Sequence, residues 1–81
     1  MDDVTITPAQ CRAARAMLDW TARELAARAG IAIATICHFE RGNSKPHNGN
    51  LRHIAAALTA SGITFVPHGV TLPPEVNQSS D

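Results

Sequence analysis

The chain has only two cysteines, Cys11 and Cys37, among its 81 residues, too few to form the disulfide framework of a small secreted scaffold. Each falls mid-helix among apolar neighbours, so both are expected to be reduced and unpaired, which points to the cytoplasm. No run approaches the ~18 apolar residues that a membrane span needs. The first residues, MDDVTIT, lack the basic and apolar regions of a secretory leader. Zinc ligands at short paired spacings such as C-x-x-C or H-x-x-x-H are missing, although His38, His47, His53 and His68 are all available. Cys37 and His38 are neighbours, and neighbours on a helix project about 100° apart, which is poor geometry for a nucleophile and its base. The sequence therefore predicts no enzyme, no metal and no cofactor. With neither an internal repeat nor a low-complexity tract, the chain reads as one unit.

Net charge is missing too, since seven Lys and Arg balance seven Asp and Glu. That zero counts at first against a nucleic-acid partner, but its distribution reverses the reading. Asp2, Asp3, Glu75 and Asp81 sit at the two ends, whereas all seven cations fall between positions 12 and 52. Across residues 5–72, seven positive charges face three negative ones, Asp19, Glu24 and Glu40, a surplus of four. A body of that sign attracts phosphate, though weakly beside strongly basic binders. A chain this short holds one small domain that is only marginally stable alone, and dimerisation would help it.

What is present is a dense set of helix signals. After a polar arm at 1–6, Thr7 is the N-cap of a first helix, Pro8 its first residue, Gln10 the capping-box partner, and Ile6 a staple onto Cys11. Cys11, Ala14 and Leu18 share the core face with Arg15, which therefore needs a partner. Thr21 caps a second helix, with Glu24 at the capping-box position and Trp20 stapling toward Leu25 as a core anchor. Leu25, Ala26 and Ala29 line one face, Gly30 lets the backbone reverse at positive φ, and Ile31, Ile36 and Phe39 supply a second apolar face. The pattern is a helix-turn-helix, its third helix spanning about 33–41.

Residues 42–50, GNSKPHNGN, end that helix and delay the next, and Lys45, His47, Asn48 and Asn50 are all capable of phosphate contact. A fourth helix buries Leu51, Ile54, Ala55 and Leu58 and stops at Ser61 and Gly62. The period then alternates, predicting two short strands around Pro67, His68 and Gly69. A lone hairpin is barely stable, so it must either clasp the protomer's own core or pair with a second copy through Ile63, Phe65, Val70 and Leu72. Residues 73–81 read as a disordered tail.

Trp20, Thr21, Glu24, Leu25, Ala26, Gly30, Ile31, Thr35, Ile36, Glu40, Arg41 and Gly42 together resemble the signature of bacterial Cro-type and xenobiotic-response-element-type regulators, the lambda-repressor-like helix-turn-helix family. The similarity covers roughly residues 5–72. It implies a mainly α fold of four to five helices with a short C-terminal β-hairpin, a DNA-binding domain at 7–62 and the hairpin at 63–72. It also implies an ion pair between Arg15 and Glu40. Helix three would lie in the major groove of double-stranded DNA, with helix two crossing the backbone above it. Two positions depart from the family. Ala32 stands where Ser or Thr usually caps the third helix and binds phosphate, a loss of about 1 kcal/mol, and Ala22 replaces a common glutamine.

The outward set on helix three becomes Ile33, Ala34, Cys37 and His38. It lacks the Arg, Asn and Gln that discriminate G and A. Hydrogen-bond readout would rest on His38, while Ile33 and Ala34 contact thymine methyl groups. Phosphate contacts would come from Arg23, Arg41, Lys45, His47, Asn48 and the backbone N–H groups that open helices two and three, leaving Arg12, Arg28 and Arg52 as solvated charges. The expectation is a cytoplasmic, nucleoid-associated transcriptional regulator of the repressor type. It would act as a homodimer on an inverted repeat with half-sites about 10 bp apart or a multiple of that. The competing expectation is a protein-interaction module of the same fold, of antitoxin or anti-repressor type, using the apolar face of helix three.

Overall fold

Thr7 and Gln10 set the first helix in place. The Thr7 hydroxyl accepts from the Gln10 N–H at 3.0 Å while the Gln10 amide oxygen accepts from the Thr7 N–H at 2.9 Å, so two otherwise orphaned donors are satisfied reciprocally. The computed structural model describes residues 6–42 and 48–72. Its elements run α1 (Pro8–Leu18), α2 (Ala22–Ala29), α3 (Ile33–Glu40), α4 (Asn48–Ala60), β1 (Thr64–Val66) and β2 (Gly69–Thr71). The fold is mainly helical with a short C-terminal antiparallel hairpin, as expected. Lys45, His47, residues 1–5 of the arm and the tail at 73–81 lie outside the described residues. Ile6, placed by the sequence at the end of a polar arm, is 5% exposed and belongs to the core.

Backbone geometry ends the helices abruptly. Asp19 takes φ 61 after α1, and the Trp20 N–H reaches back to the Arg15 carbonyl at 2.9 Å. After α2, Gly30 takes φ 73, and its N–H and that of Ile31 both donate to the Ala26 carbonyl. A Cβ at Gly30 would meet nothing within 4 Å, so the demand for glycine there is one of backbone angle and not of space. That single residue turns α2 into α3.

The core sits where α1, α2, α3 and α4 converge. Leu25, Ile36, Leu51, Ile54, Leu58 and Cys11 are its largest fully buried side chains, and each Leu or Ile there contributes about 1.5–3 kcal/mol of burial. Trp20 and Leu18 pack against its margin. The second capping box does not form as expected. The Thr21 hydroxyl accepts from the Glu24 N–H, but the Glu24 carboxylate turns to Arg28 at 2.6 Å instead of reaching back to the Thr21 N–H. An i,i+4 cation, present on α2 and already stacked over Trp20, is the stronger competitor for it.

In the hairpin, Thr64 pairs with Thr71, Phe65 with Val70 and Val66 with Gly69. Gly69 therefore belongs to β2, and the turn is Pro67 and His68 alone, with His68 at φ 64. Ile63 is 2% exposed within the chain's own core, and Phe65, Val70 and Leu72 lean on that core half-buried. The hairpin is thus a clasp, and α1 fastens it. The Gln10 amide nitrogen donates to the carbonyls of Val66 at 2.8 Å and Gly69 at 3.1 Å, on either side of the turn.

Gln10→Glu tests that fastening, because glutamate is as good a capping-box residue as glutamine but would set a carboxylate against two carbonyl oxygens. Urea unfolding is expected to show a loss of about 2–3 kcal/mol, the cost of two lost donors and an unsatisfied buried charge. A change below about 0.5 kcal/mol would show that the clasp contributes little.

Candidate nucleic-acid interface

Ala32 opens α3 in extended geometry with no side-chain cap. Its missing hydroxyl leaves the first N–H groups of the helix without a side-chain partner, and the helix is secured from its other end. Glu40, the last residue of α3, is 7% exposed. Its carboxylate receives a two-pronged guanidinium from Arg15, Nε to Oε2 at 2.8 Å and Nη2 to Oε1 at 2.7 Å, and the Cys11 thiol donates to Oε2 at 3.0 Å. Arg12 donates to the Glu40 carbonyl, one of the orphan acceptors of the helix C-terminus. Arg15 also donates to the Trp20 carbonyl at 2.9 Å. One guanidinium therefore ties α1, the entry to α2 and the end of α3 together.

The electrostatics follow from that contact set. Burial alone pushes the Glu40 carboxyl up, but the hydrogen bonds from Arg15 and Cys11 and the charges of Arg15 and Arg12 outweigh it and hold the group below the usual carboxylate range. Burial, reinforced by the adjoining carboxylate, pushes the Cys11 thiol well above its ordinary value. The hydrogen bond to Glu40 raises Arg15 further. The carboxylate stays charged and the thiol stays neutral.

With Ile36, Phe39 and Glu40 turned inward, the helical period leaves Ile33, Ala34, Cys37, His38 and Arg41 on one outward side. Ile33 is 36% exposed, Ala34 and His38 are exposed, and Cys37 is half-buried. Arg23 in the first turn of α2 and Arg41 after α3 are exposed and make no ion pair among the described residues. Ala32 is exposed, whereas Ala22 packs half-buried against the core. Asn48 opens α4.

Arg12 and Arg28 are exposed, as expected of surface charges, and each also has a partner: Arg12 donates to the Glu40 carbonyl, and Arg28 bridges Glu24 while lying 4.4 Å from the centre of the Trp20 ring. The roles of Cys11 and Arg12 had no signal beyond their position beside Arg15 on the helical net. Among the described residues no group of three or more His, Cys, Asp and Glu could hold a metal, and no helix is long and apolar enough to cross a membrane. The groove between α1 and the hairpin turn, lined by Ala9, Ala13, Pro67 and His68 among others, includes no residue of α2 or α3.

A family model described as helix-turn-helix matches residues 12–62, more than half of the chain. No curated protein matches the chain.

Glu40→Gln leaves Arg15 facing a neutral partner and is expected to cost about 3 kcal/mol, while Arg15→Met with Glu40→Leu costs less than the two single changes together. Urea unfolding of the unaltered chain, Glu40→Gln, the two single variants and the double variant checks this. The pH dependence has two limbs. Glu40 titrates lower in the fold than in the unfolded chain, so its contribution is complete above about pH 4.3 and is lost as pH falls through the lower folded value. Cys11 titrates higher in the fold, so above about pH 8.5 the unfolded chain alone releases its proton and stability falls by up to about 1.4 kcal/mol per pH unit. Cys11→Ala is expected to flatten the alkaline limb in unfolding midpoints taken across pH, and its persistence would assign it elsewhere.

Proposed function

The chain belongs to the helix-turn-helix family of the Cro and C1 type, a family of DNA-binding transcription regulators, and from that premise we propose that it binds double-stranded DNA sequence-specifically and represses transcription by occupying a promoter. The observation that carries this reading is the outward side of α3. A solvent-facing strip that begins at Ile33 and ends in exposed Arg41 is held by the buried Glu40 contacts, and α2, which packs on α3, carries exposed Arg23 in its first turn. A recognition helix enters the major groove through its N-terminal residues, and here those are Ile33 and Ala34. Arg23 and Arg41 fall on neighbouring phosphates, with Lys45, His47 and Asn48 as further contacts from the segment that follows.

One protomer presents few base contacts, and the function proposed is that of a two-fold homodimer on an inverted repeat. The hairpin remains the candidate surface for it. Ile63 is taken up by the protomer's own core, so a second copy would meet the strand edge and the remaining exposed parts of Phe65, Val70 and Leu72.

Fluorescence anisotropy of the purified chain on duplexes from its own upstream DNA, against scrambled duplexes, tests the reading. If Arg23 and Arg41 of two protomers each neutralise a phosphate, affinity is expected to fall on the order of 100-fold between about 50 and 200 mM salt. Weak binding that is indifferent to sequence and to salt would overturn it and turn the search toward a protein partner for the same face.

A further inference from the structure

Of the three large apolar side chains exposed among the described residues, Met17, Ile33 and Val66, only Ile33 lies on α3. It stands in the first turn, beside exposed Ala34, on the end of the helix that meets base edges if the chain reads DNA as proposed above. Neither side chain carries a hydrogen-bond donor or acceptor. Cys37, one turn further on, is half-buried and offers only a weak donor. His38, the outward polar side chain, follows Ile33 by five residues and Ala34 by four, about 7.5 and about 6 Å along the helix axis, and Thr35 beside them is half-buried. A pyrimidine set against Ile33 and Ala34 would therefore meet apolar surface at its C5 edge.

We infer that Ile33 and Ala34 recognise the C5-methyl group of a pyrimidine and not the identity of the base pair, so that 5-methylcytosine serves as well as thymine at that position. In the major groove both bases project the same methyl group. They differ at C4, where thymine has an oxygen acceptor and cytosine an amino donor. Telling these apart requires a polar side chain at the contact, and neither Ile33 nor Ala34 supplies one. Uracil and unmodified cytosine lack the methyl group and leave the Ile33 side chain against a polar edge. The class of DNA preferred is thus set by methyl placement, and cytosine methylation of a half-site would create or strengthen a binding site instead of blocking it.

The inference rests on the DNA-binding reading, and one experiment separates the two. Duplexes bound selectively by the intact chain are recovered from a random pool and resynthesised with each half-site pyrimidine in turn as thymine or deoxyuridine opposite adenine, and as 5-methylcytosine or cytosine opposite guanine. At the α3 position, thymine and 5-methylcytosine are expected to bind alike, and deoxyuridine and cytosine about fourfold more weakly for each methyl removed. Ile33→Ala, which alters an exposed side chain, is expected to shrink that difference. Selective binding with thymine equal to deoxyuridine at every position, or 5-methylcytosine equal to cytosine, would overturn the inference and leave DNA binding intact. Full methyl dependence in the Ile33→Ala protein would overturn the assignment to Ile33. Recovery of no selective duplex would overturn both readings.

Discussion

A carboxylate that is almost wholly withdrawn from water is the constraint on which the rest of the structure depends. Left alone in such surroundings Glu40 would cost several kcal/mol, so the fold must bring donors to it. It brings Arg15 as a fork and Cys11 as a third donor, both from α1. Because the same guanidinium also holds the Trp20 carbonyl, the position of α3 cannot change without loosening the entry to α2. The pair does more to orient the helix than to stabilise the chain, since an ion pair of this kind gains little net energy over an apolar substitute.

The rest of α1 extends the same logic. Gln10, Cys11 and Arg12 are consecutive, and their 100° steps around the helix send them to three places: the hairpin turn, the Glu40 carboxylate and the Glu40 carbonyl. A small core has few apolar contacts with which to fix the relative placement of its elements. Directed hydrogen bonds supply that placement, and α1 is where they originate. The hairpin, too short to stand alone, holds its position by this means and by the burial of Ile63.

The two ends of α3 are consequently unlike. Its C-terminus is anchored on several sides, while its N-terminus begins at an alanine without a cap and presents Ile33 and Ala34 to the solvent. Such an arrangement suits a helix that is held by its own domain at one end and read against a partner at the other. In the proposed complex, the apolar side chains at that end would make a short-ranged, shape-dependent contact, and the exposed Arg23 and Arg41 would supply attraction over longer distances.

Signals that act within one turn of helix were legible in the sequence. The Thr7 and Thr21 caps, the Gly30 reversal and the burial of Leu51, Ile54 and Leu58 each follow from neighbours three or four residues away. The outward side of α3 was legible for the same reason, since Ile36 and Phe39 define its inner side and the helical period does the rest. The pairing of Arg15 with Glu40 came from resemblance to a family, and the periodicity of α1 supplied only the need for some partner. Tertiary structure alone decided that Gln10 binds a hairpin turn 56 residues away, that Arg12 reaches a carbonyl 28 residues away, and that Ile63 is buried inside the chain's own core. A side chain's type states how many hydrogen bonds it can make, but where the chain returns to meet it depends on how all the helices pack, and no local pattern encodes that.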